Sequence, residues 1–456
     1  MSLVPSLGWH QRLFYNRNLG PTGSTRVRYL STHFVPQFAF NETFWNRLTQ
    51  WCIYSLLSFP IVNYGLIKVF GQSASIWDFL VLLLLSLIAL VRYLGGHKSV
   101  AFRWSKFAWW YILYCIALLW AGFNTPTVSF DGFSMDVEYI LFGLLLPFVV
   151  DAKDVPKYLY VAVVVSILLG VDGVFQYLIK VPIPIGWLDV GEHVRTRVFS
   201  VIASPAELGA NMELIIPVLF ALLIVDKHRV RRWMYALGGL ICLGTLLFTY
   251  DRGSWMGFGV ALLLIAVVYE RRLLLVLAIL AAIAFFLPAI HSRIMDLFSP
   301  VYYIQSAQGG RILRWEDAFD TMAVNPLFGA GLGKYGGAIA TVNGYSLYSD
   351  SYYAKILGES GLVGLVLFFT LHASIVSEIV QTVVKRAKGA DRALALGGLA
   401  GISAILVHNS VENLFEYAPT VVLYFMMVGL LLIWGRTLDT DDPQSAIGIA
   451  CQRHGP

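Results

Sequence analysis

The chain has 456 residues, of which 57% are hydrophobic and only 13% are charged, about half the charged share of an ordinary soluble domain. Apolar residues run in blocks of about twenty, the length that crosses roughly 30 Å of hydrocarbon as a helix, so a soluble globular fold is excluded. The net charge of +5 fits basic cytoplasmic loops better than a nucleic-acid partner, and the four scattered cysteines predict neither a metal site nor a disulfide framework.

In chain order, a basic cytoplasmic segment comes first, and its lack of a short apolar core argues against a cleavable signal peptide. We predict an all-α integral membrane protein with about twelve transmembrane helices and one large extracytoplasmic loop containing amphipathic helices. The predicted regions are the amino-terminal segment 1–48, spans 1–9 within 49–290, the outer loop 291–353, spans 10–12 within 354–435 and the cytoplasmic tail 436–456. The predicted spans are 49–70, 76–95, 105–123, 134–151, 157–179, 206–225, 233–250, 254–269, 272–290, 354–380, 393–411 and 418–435.

Alternate connections between these spans are rich in lysine and arginine. Cytoplasmic loops carry such an excess, so the alternation predicts that both termini are cytoplasmic and that the loop 291–353 is outside. The basic residues are Arg12, Arg17, Arg26, Arg28 and Arg47 before the first span, Lys98, Arg103 and Lys106 in the second connection, Lys153 and Lys157 in the fourth, Lys227, Arg229, Arg231 and Arg232 in the sixth, Arg271 and Arg272 in the eighth, and Lys385, Arg386, Lys388 and Arg392 in the tenth.

The outer loop is too long for a plain connector, and its aromatic residues argue for order. Residues 310–324 have helical periodicity with one apolar face, which predicts an amphipathic helix at the membrane interface. Arg311 and Arg314 lie along one edge of that face. The glycine run at 329–333 lacks the spacing of a phosphate-binding loop, and we interpret it as a flexible hinge. The apolar face comprises Ile312, Trp315, Ala318, Phe319 and Met322, with Glu316 and Asp320 opposite.

Arginines on the predicted outer side run against the usual distribution of basic residues, and five of them are candidates for a function there. Arg252 is the most informative, because the connection 250–254 is so tight that its charge must lie at the membrane boundary. It could pair with Asp251 and cap a helix, or extend to lipid headgroups. Alternatively, its guanidinium could bind phosphate oxygens in a bidentate manner. The five are Arg195, Arg197, Arg252, Arg311 and Arg314.

Acidic and histidine side chains on the same side are candidates for a general base. Asp350 precedes a span and is either a base or, with Ser351, a helix N-cap. Glu359 lies inside span 10, where a carboxylate is costly and is either functional or paired with an arginine. His408, near Asn409 and Asn413, could form a polar wall or pair across helices. The candidates are Asp350, Glu207, Glu359, His408, Glu412 and Glu416.

A set of short motifs runs through residues 195–370. In order they read Arg197-x-x-Ser-x-x-x-x-Pro, Arg252-Gly, Gly310-Arg-x-x-x-Trp-x-x-Ala, Asn325-Pro-Leu-Phe-Gly-x-Gly-x-Gly, Asp350-Ser-x-Tyr and Glu359-x-Gly-Leu-x-Gly-Leu. This series resembles the shared carboxyl-terminal domain of the O-antigen ligase and O-antigen polymerase superfamily. The first 130 residues fit that superfamily only by hydropathy.

The resemblance implies a glycosyltransferase of the bacterial cell envelope, in the cytoplasmic (inner) membrane, with its active site facing the periplasm or the cell exterior. Its donor would be a glycan on a polyprenyl (undecaprenyl) diphosphate and its acceptor another glycan, with no nucleotide, metal or other cofactor. Arg252 and Arg311 would be catalytic by stabilising the diphosphate, and Asp350 by accepting the proton of the acceptor hydroxyl. A flippase and a chain-length regulator would be partners. The substrate-binding residues would be Arg197, Arg314, Trp315, Tyr352, Glu359 and His408.

Many ligases of the family have His-Asn where this chain has Asp350-Ser351, which favours the polymerases. The leading prediction is therefore polymerisation of lipid-linked repeat units into a surface polysaccharide (O-antigen, capsule or exopolysaccharide). The alternative is an O-antigen ligase or oligosaccharyltransferase that moves the glycan to a lipid or protein acceptor. A flippase or transporter is a different class; it would place charges deep in many spans and interrupted helices in two pseudo-symmetric halves, whereas here the polar groups gather at the outer rim and in one loop.

Overall fold

The computed structural model describes residues 42–97, 99–122, 124–184, 196–202, 204–286, 291–292, 294–295 and 298–438. Most of the predicted amino-terminal segment, Lys98, Arg195 and most of the predicted tail lie outside these residues. Within them the fold is all-α, and the β-structure is limited to an isolated bridge between Gly336 and Tyr348.

Each of the twelve predicted spans overlaps at least one helix. The helices are α1 (Glu42–Leu57), α2 (Phe59–Phe70), α3 (Trp77–Leu94), α4 (Ser105–Ala121), α5 (Pro126–Val149), α6 (Val155–Ile179), α7 (Pro205–Val225), α8 (Arg229–Phe248), α9 (Arg252–Val268), α10 (Leu273–Phe285), α11 (Pro300–Ala307), α12 (Arg311–Val324), α13 (Ala338–Val342), α14 (Tyr352–Ile379), α15 (Gly389–His408) and α16 (Ala418–Gly435).

Fewer than twelve of these helices are long and apolar enough to cross a membrane. Within the described residues, seven helical segments meet both conditions, and α1 with α2, bent by 86° at Ser58, would make an eighth. The helices α4 and α9 and residues 273–283 of α10 are apolar but shorter. The described part of the chain is therefore all-α with several candidate membrane spans, while the total of twelve stays a prediction.

The best-buried helices, α7, α15 and α16, form the centre of the bundle. Glycines let α15 approach α7 closely, since a Cβ atom added to Gly401 would lie 2.3 Å from the carbonyl oxygen of Leu214, and one added to Gly397 would lie 2.7 Å from that of Pro217. Small residues at helix crossings have this effect in membrane proteins, where dispersion and close packing drive association. The helices α3 and α4 instead leave many apolar side chains exposed, as lipid-facing helices do.

The helix α14 is interrupted at Gly361, whose φ of 65° is left-handed. Residues 325–331 satisfy the backbone groups that the break releases: the amides of Ala330 and Gly331 each donate at 2.8 Å, to the carbonyls of Gly358 and Glu359 respectively. The interpretation of the glycine run as a flexible hinge is therefore wrong, because the run is tied to α14 by these bonds. Non-helical backbone at membrane depth is tolerated where protein covers it in this way.

The two ends of the bundle differ in composition. At one end the basic connections gather: Arg92 lies 3.5 Å from Asp151, and the amide of Trp104 donates to Glu378 at 2.8 Å. At the other end lie the first residues of α9 and α14, the last residue of α15 and the loop helix α12. Among the described residues, Arg252, Arg311 and Asp350 therefore lie at the end opposite to the basic connections.

Candidate functional site

The loop helix α12 and Asp350 form one ion-paired unit. Nη1 of Arg314 donates to Oδ2 of Asp350 at 2.9 Å, and Nε of Arg311 lies 3.5 Å from the same oxygen. Arg314 also donates to the carbonyl of Tyr348 at 2.9 Å. Each of the three charged side chains is about a quarter exposed. The two arginines on the edge of the helical wheel thus both contact one carboxylate, which remains partly exposed to solvent.

Asp350 occupies a backbone conformation that few residue types adopt. Its φ of 50° is left-handed, a region in which Asp, Asn and His are enriched among non-glycine residues. The N-cap of α14 is the next residue, Ser351, whose side chain accepts a hydrogen bond from the amide of Ala354 at 3.3 Å. The indole of Trp315 donates to the carbonyl of Ser349 at 3.1 Å and ties α12 to this turn. Of the two residues in the N-cap interpretation, Ser351 fills that role and Asp350 does not.

A buried row of charged groups fixes the start of α9. Nδ1 of His408 lies 3.0 Å from Oε1 of Glu213, and Nε2 lies 3.1 Å from Oδ2 of Asp251. Asp251 caps α9 by accepting from the amide of Ser254 at 2.7 Å. Burial alone would raise the pKa of Asp251, but the charges of His408 and Arg197 hold it well below its usual range. Of the two interpretations of His408, pairing across helices is the one observed.

Arg252 and Arg311 are each the first residue of a helix, α9 and α12. The positive end of a helix dipole disfavours a cation and favours an anion, so these positions add to the positive potential of the guanidinium groups. The guanidinium of Arg252 lies 5.5 Å from the centre of the Tyr302 ring, and Tyr302 is also close enough to affect the titration of Arg311. Nε of Arg197 donates to the carbonyl of Thr249 at 3.1 Å, just before α9.

Glu412 is a second carboxyl group beside this cluster, half-buried in the connection between α15 and α16. Burial and the negative charge of Asp350 raise its pKa to about 7, against the opposing charge of Arg311. Burial would lower the pKa of Arg311, but Asp350 and Glu412 raise it above its usual range. The cluster therefore combines a permanently charged guanidinium with a carboxyl that ionises near neutral pH.

Tyr352 and Glu359 lie in a separate, deeper cluster around a lysine that the sequence analysis did not single out. Nζ of Lys355 lies 2.6 Å from Oδ1 of Asp136, 3.0 Å from Oε2 of Glu359 and 3.7 Å from Oε1 of Glu416. The hydroxyl of Tyr352 donates to Oδ1 of Asp136 at 3.0 Å. All five side chains are buried, and the cluster joins α5, α14 and the connection before α16.

The partner of Glu359 is thus a lysine, four residues earlier on the same helix face, and not the arginine suggested by the sequence. The same cluster anchors the outer loop, because the amide of Ala338 donates to Oε2 of Glu416 at 3.1 Å. The sequence does contain a signal for three residues of these clusters, because an ionisable residue inside an apolar segment needs a partner. These residues are Lys355, Asp136 and Glu213.

Replacing Lys355 is expected to destabilise the protein strongly. Lys355→Met would leave three buried carboxyl groups without their shared cation, and breaking a buried pair on one side costs about 3–5 kcal/mol. We expect a clearly lower unfolding temperature in detergent and poor accumulation in the membrane, whereas Lys227→Met, at an exposed position, should match the wild type. An unchanged unfolding temperature for Lys355→Met would show that the cluster contributes little to stability.

Comparison with known proteins agrees with the resemblance seen in the motifs. Among curated proteins, no sequence matches the chain at a significant level. A chain from a structure of a peptidoglycan synthase complex, described as coordinating polymerization and crosslinking, is similar at a TM-score of 0.40 and 16% identity over 73% of this chain and 98% of that one. The family described as O-antigen ligase matches residues 237–369, which include α9, α12 and Asp350. Residues 237–369 are therefore similar to the domain that defines the O-antigen ligase family.

Proposed function

We propose that this protein transfers a glycan from a polyprenyl diphosphate to a hydroxyl group of an acceptor glycan, on the outer face of the bacterial cytoplasmic membrane. The family match supports transferase activity of the O-antigen ligase or polymerase type in general terms. The observation that carries the finer proposal is the meeting of Arg311 and Arg314 on Asp350. A cationic group and a proton acceptor are then adjacent, as glycosyl transfer from a diphosphate requires.

In the proposed reaction, the acceptor oxygen forms a bond to the anomeric carbon while the bond from that carbon to the diphosphate oxygen breaks. Asp350 takes the proton of the attacking hydroxyl. The electron pair of the broken bond leaves with the polyprenyl diphosphate, whose growing negative charge is stabilised by Arg252 and Arg311 at the positive ends of α9 and α12. Arg314 holds the carboxylate in place through its 2.9 Å bond, and Arg197, which donates to the carbonyl of Thr249 just before α9, adds positive charge near the start of that helix.

The preferred reaction is polymerisation, because Asp350-Ser351 replaces the His-Asn pair of many ligases. The decisive experiment uses the purified protein in liposomes with lipid-linked repeat units isolated from cells that lack it, in the presence of EDTA. A ladder of products that differ by one repeat unit is expected. A single transfer onto a different lipid or protein acceptor would identify a ligase, and an unchanged lipid-linked pool would overturn the proposal.

The affinity for the donor is expected to fall as pH rises through neutrality. Glu412 is neutral below its pKa of about 7 and negative above it, so above pH 7 it repels a diphosphate bound at Arg311. A diphosphate with a substituent at each end keeps both of its charges over this range. The donor KM should therefore rise about three- to tenfold between pH 6 and pH 8, the size expected for one nearby charge at the protein surface.

Glu412→Gln should make the donor KM independent of pH over this range, while Glu316→Gln, on the far face of α12, should keep the rise. A donor KM that still rises in Glu412→Gln would assign the titration to another group. A kcat that rises with pH and loses that rise in Glu412→Gln would instead make Glu412 the base.

We further propose that the end of the bundle carrying Asp350 and α12 faces outward and that the basic connections face the cytoplasm. In a cysteine-free background, Asn343→Cys should react with a membrane-impermeant maleimide on intact cells, and Arg229→Cys only after lysis. Both positions are exposed, so a lack of labelling cannot be ascribed to burial. The reverse pattern would invert the orientation.

A further inference from the structure

An open cleft of about 560 Å³ lies between α12 and the loop that follows it. This volume falls within the roughly 300–1,000 Å³ of ordinary ligand sites. From the helix, Arg314, Asp317 and Thr321 line the cleft, and their spacing of three and four residues puts them on one helical face. The opposite wall includes Lys334, Tyr345 and Ser346, so the cleft presents both polar groups and aromatic surface.

The cleft adjoins the ion-paired unit through Arg314. The guanidinium of this residue contacts Asp350, while the residue itself also forms part of the cleft wall. Its backbone carbonyl accepts a hydrogen bond from the hydroxyl of Tyr335, another lining residue. The side chain of Arg314 would therefore be all that separates a ligand in the cleft from Asp350, the carboxylate that we propose as the proton acceptor.

The charges in the cleft argue against a diphosphate and for a polyhydroxylated ligand. Asp317 and Asp320 are exposed carboxylates on its helical wall. Because Arg314 is already paired with Asp350, these two negative charges outnumber the remaining cation, Lys334, and disfavour a dianion. Carboxylates accept hydrogen bonds from neighbouring hydroxyl groups, and an ammonium group or a serine hydroxyl donates to ring and hydroxyl oxygens. The ring of Tyr345, which is 46% exposed, offers an apolar face for the C–H face of a sugar ring.

We propose that this cleft binds the acceptor glycan and holds the sugar that carries the attacking hydroxyl near Asp350. The assignment rests on the proposed function only in calling the ligand an acceptor; glycan binding itself is an independent claim. The lipid diphosphate of the donor stays at Arg252 and Arg311, outside the cleft. The glycine run forms part of the wall at Ala330, and its bonds to α14 keep that wall in place.

The test uses the free oligosaccharide released by mild acid from the lipid-linked pool of cells that lack this protein. It carries no diphosphate, so its binding reports on the cleft alone. Binding to the purified protein in nanodiscs is measured by isothermal titration and saturation-transfer NMR. We expect Asp317→Ala combined with Asp320→Ala to weaken binding at least about tenfold, as losing hydrogen bonds to charged groups does, and Ala330→Trp, which fills the cleft, to abolish it.

Glu316→Ala is the matched control, because Glu316 is exposed on the same helix but does not line the cleft. It should bind and transfer like the wild type. In transfer assays the double aspartate variant should raise the KM for the acceptor about tenfold while kcat and the donor KM stay within a few-fold, and Ala330→Trp should raise the acceptor KM further. The Ala330→Trp variant keeps the inference testable if the double variant fails to fold.

The outcomes separate the two proposals. Glycan binding that the cleft variants remove, in a protein without transfer activity, would support the cleft and overturn the proposed function. Normal transfer with an unchanged acceptor KM in Ala330→Trp would overturn the proposal that the cleft binds the acceptor glycan and leave the proposed function intact. Absence of oligosaccharide binding to the wild-type protein would also overturn the proposed role of the cleft.

Discussion

Arg252→Ala and Arg311→Ala are each expected to reduce glycan transfer a hundredfold or more while the protein remains folded and inserted. Both guanidinium groups begin helices at the same end of the bundle, where we propose that the leaving diphosphate develops its charge. Losing one preorganised donor to a developing anion costs on the order of 3 kcal/mol in the transition state. The measurement is the rate of transfer by purified protein from a polyprenyl-diphosphate glycan.

Lysine replacements should restore only part of the rate, because an ammonium group keeps the charge but loses the bidentate geometry of guanidinium. Arg271→Ala, exposed in the connection after α9, is the matched control and should be silent. If either of the two site variants makes polymer of normal amount and length, that arginine does not bind the diphosphate. Loss of binding with normal kcat would place the residue in ground-state recognition only.

Local features of the site could be predicted from the sequence, because they depend on residues close together in the chain. The periodicity of residues 310–324 predicts α12, and the spacing of three residues puts Arg311 and Arg314 on one edge of it. Their meeting on Asp350 depends on a turn some forty residues later. That turn is held by the bonds from Trp315 and Arg314 to backbone carbonyls, and no local pattern encodes such contacts.

The errors have the same origin. The glycine run looks like a hinge in isolation, because glycine increases backbone freedom, but the break at Gly361 supplies partners for its amides. For Glu359, a salt bridge to an arginine is one of the two interpretations that its position inside a span allows. Its actual partner, Lys355, lies at the start of a span, where a lysine is easily taken for a boundary residue.

Asp350→Asn is expected to abolish nearly all transfer without disturbing the fold. Asparagine is close in size to aspartate, tolerates the left-handed backbone at this position and keeps an oxygen that can accept from Arg314. Since Ser351 caps α14, no helix cap is lost. The variant removes the proton acceptor, and general-base catalysis is typically worth about a hundred- to ten-thousandfold.

The substitution also removes the negative charge between Arg311 and Arg314, so a second variant is needed to separate a base from an anchor for the arginines. Asp350→His restores a proton acceptor, fits a left-handed conformation and is the residue that many ligases of the family have there. If Asp350 is the base, kcat falls in Asp350→Asn with little change in the donor KM, and Asp350→His recovers part of the lost kcat. If Asp350 only anchors the two arginines, the donor KM changes and Asp350→His recovers no activity. Asp350→Asn activity within a few-fold of the wild type would eliminate Asp350 as the base and direct attention to Glu412, the neighbouring carboxyl whose pKa of about 7 suits proton transfer.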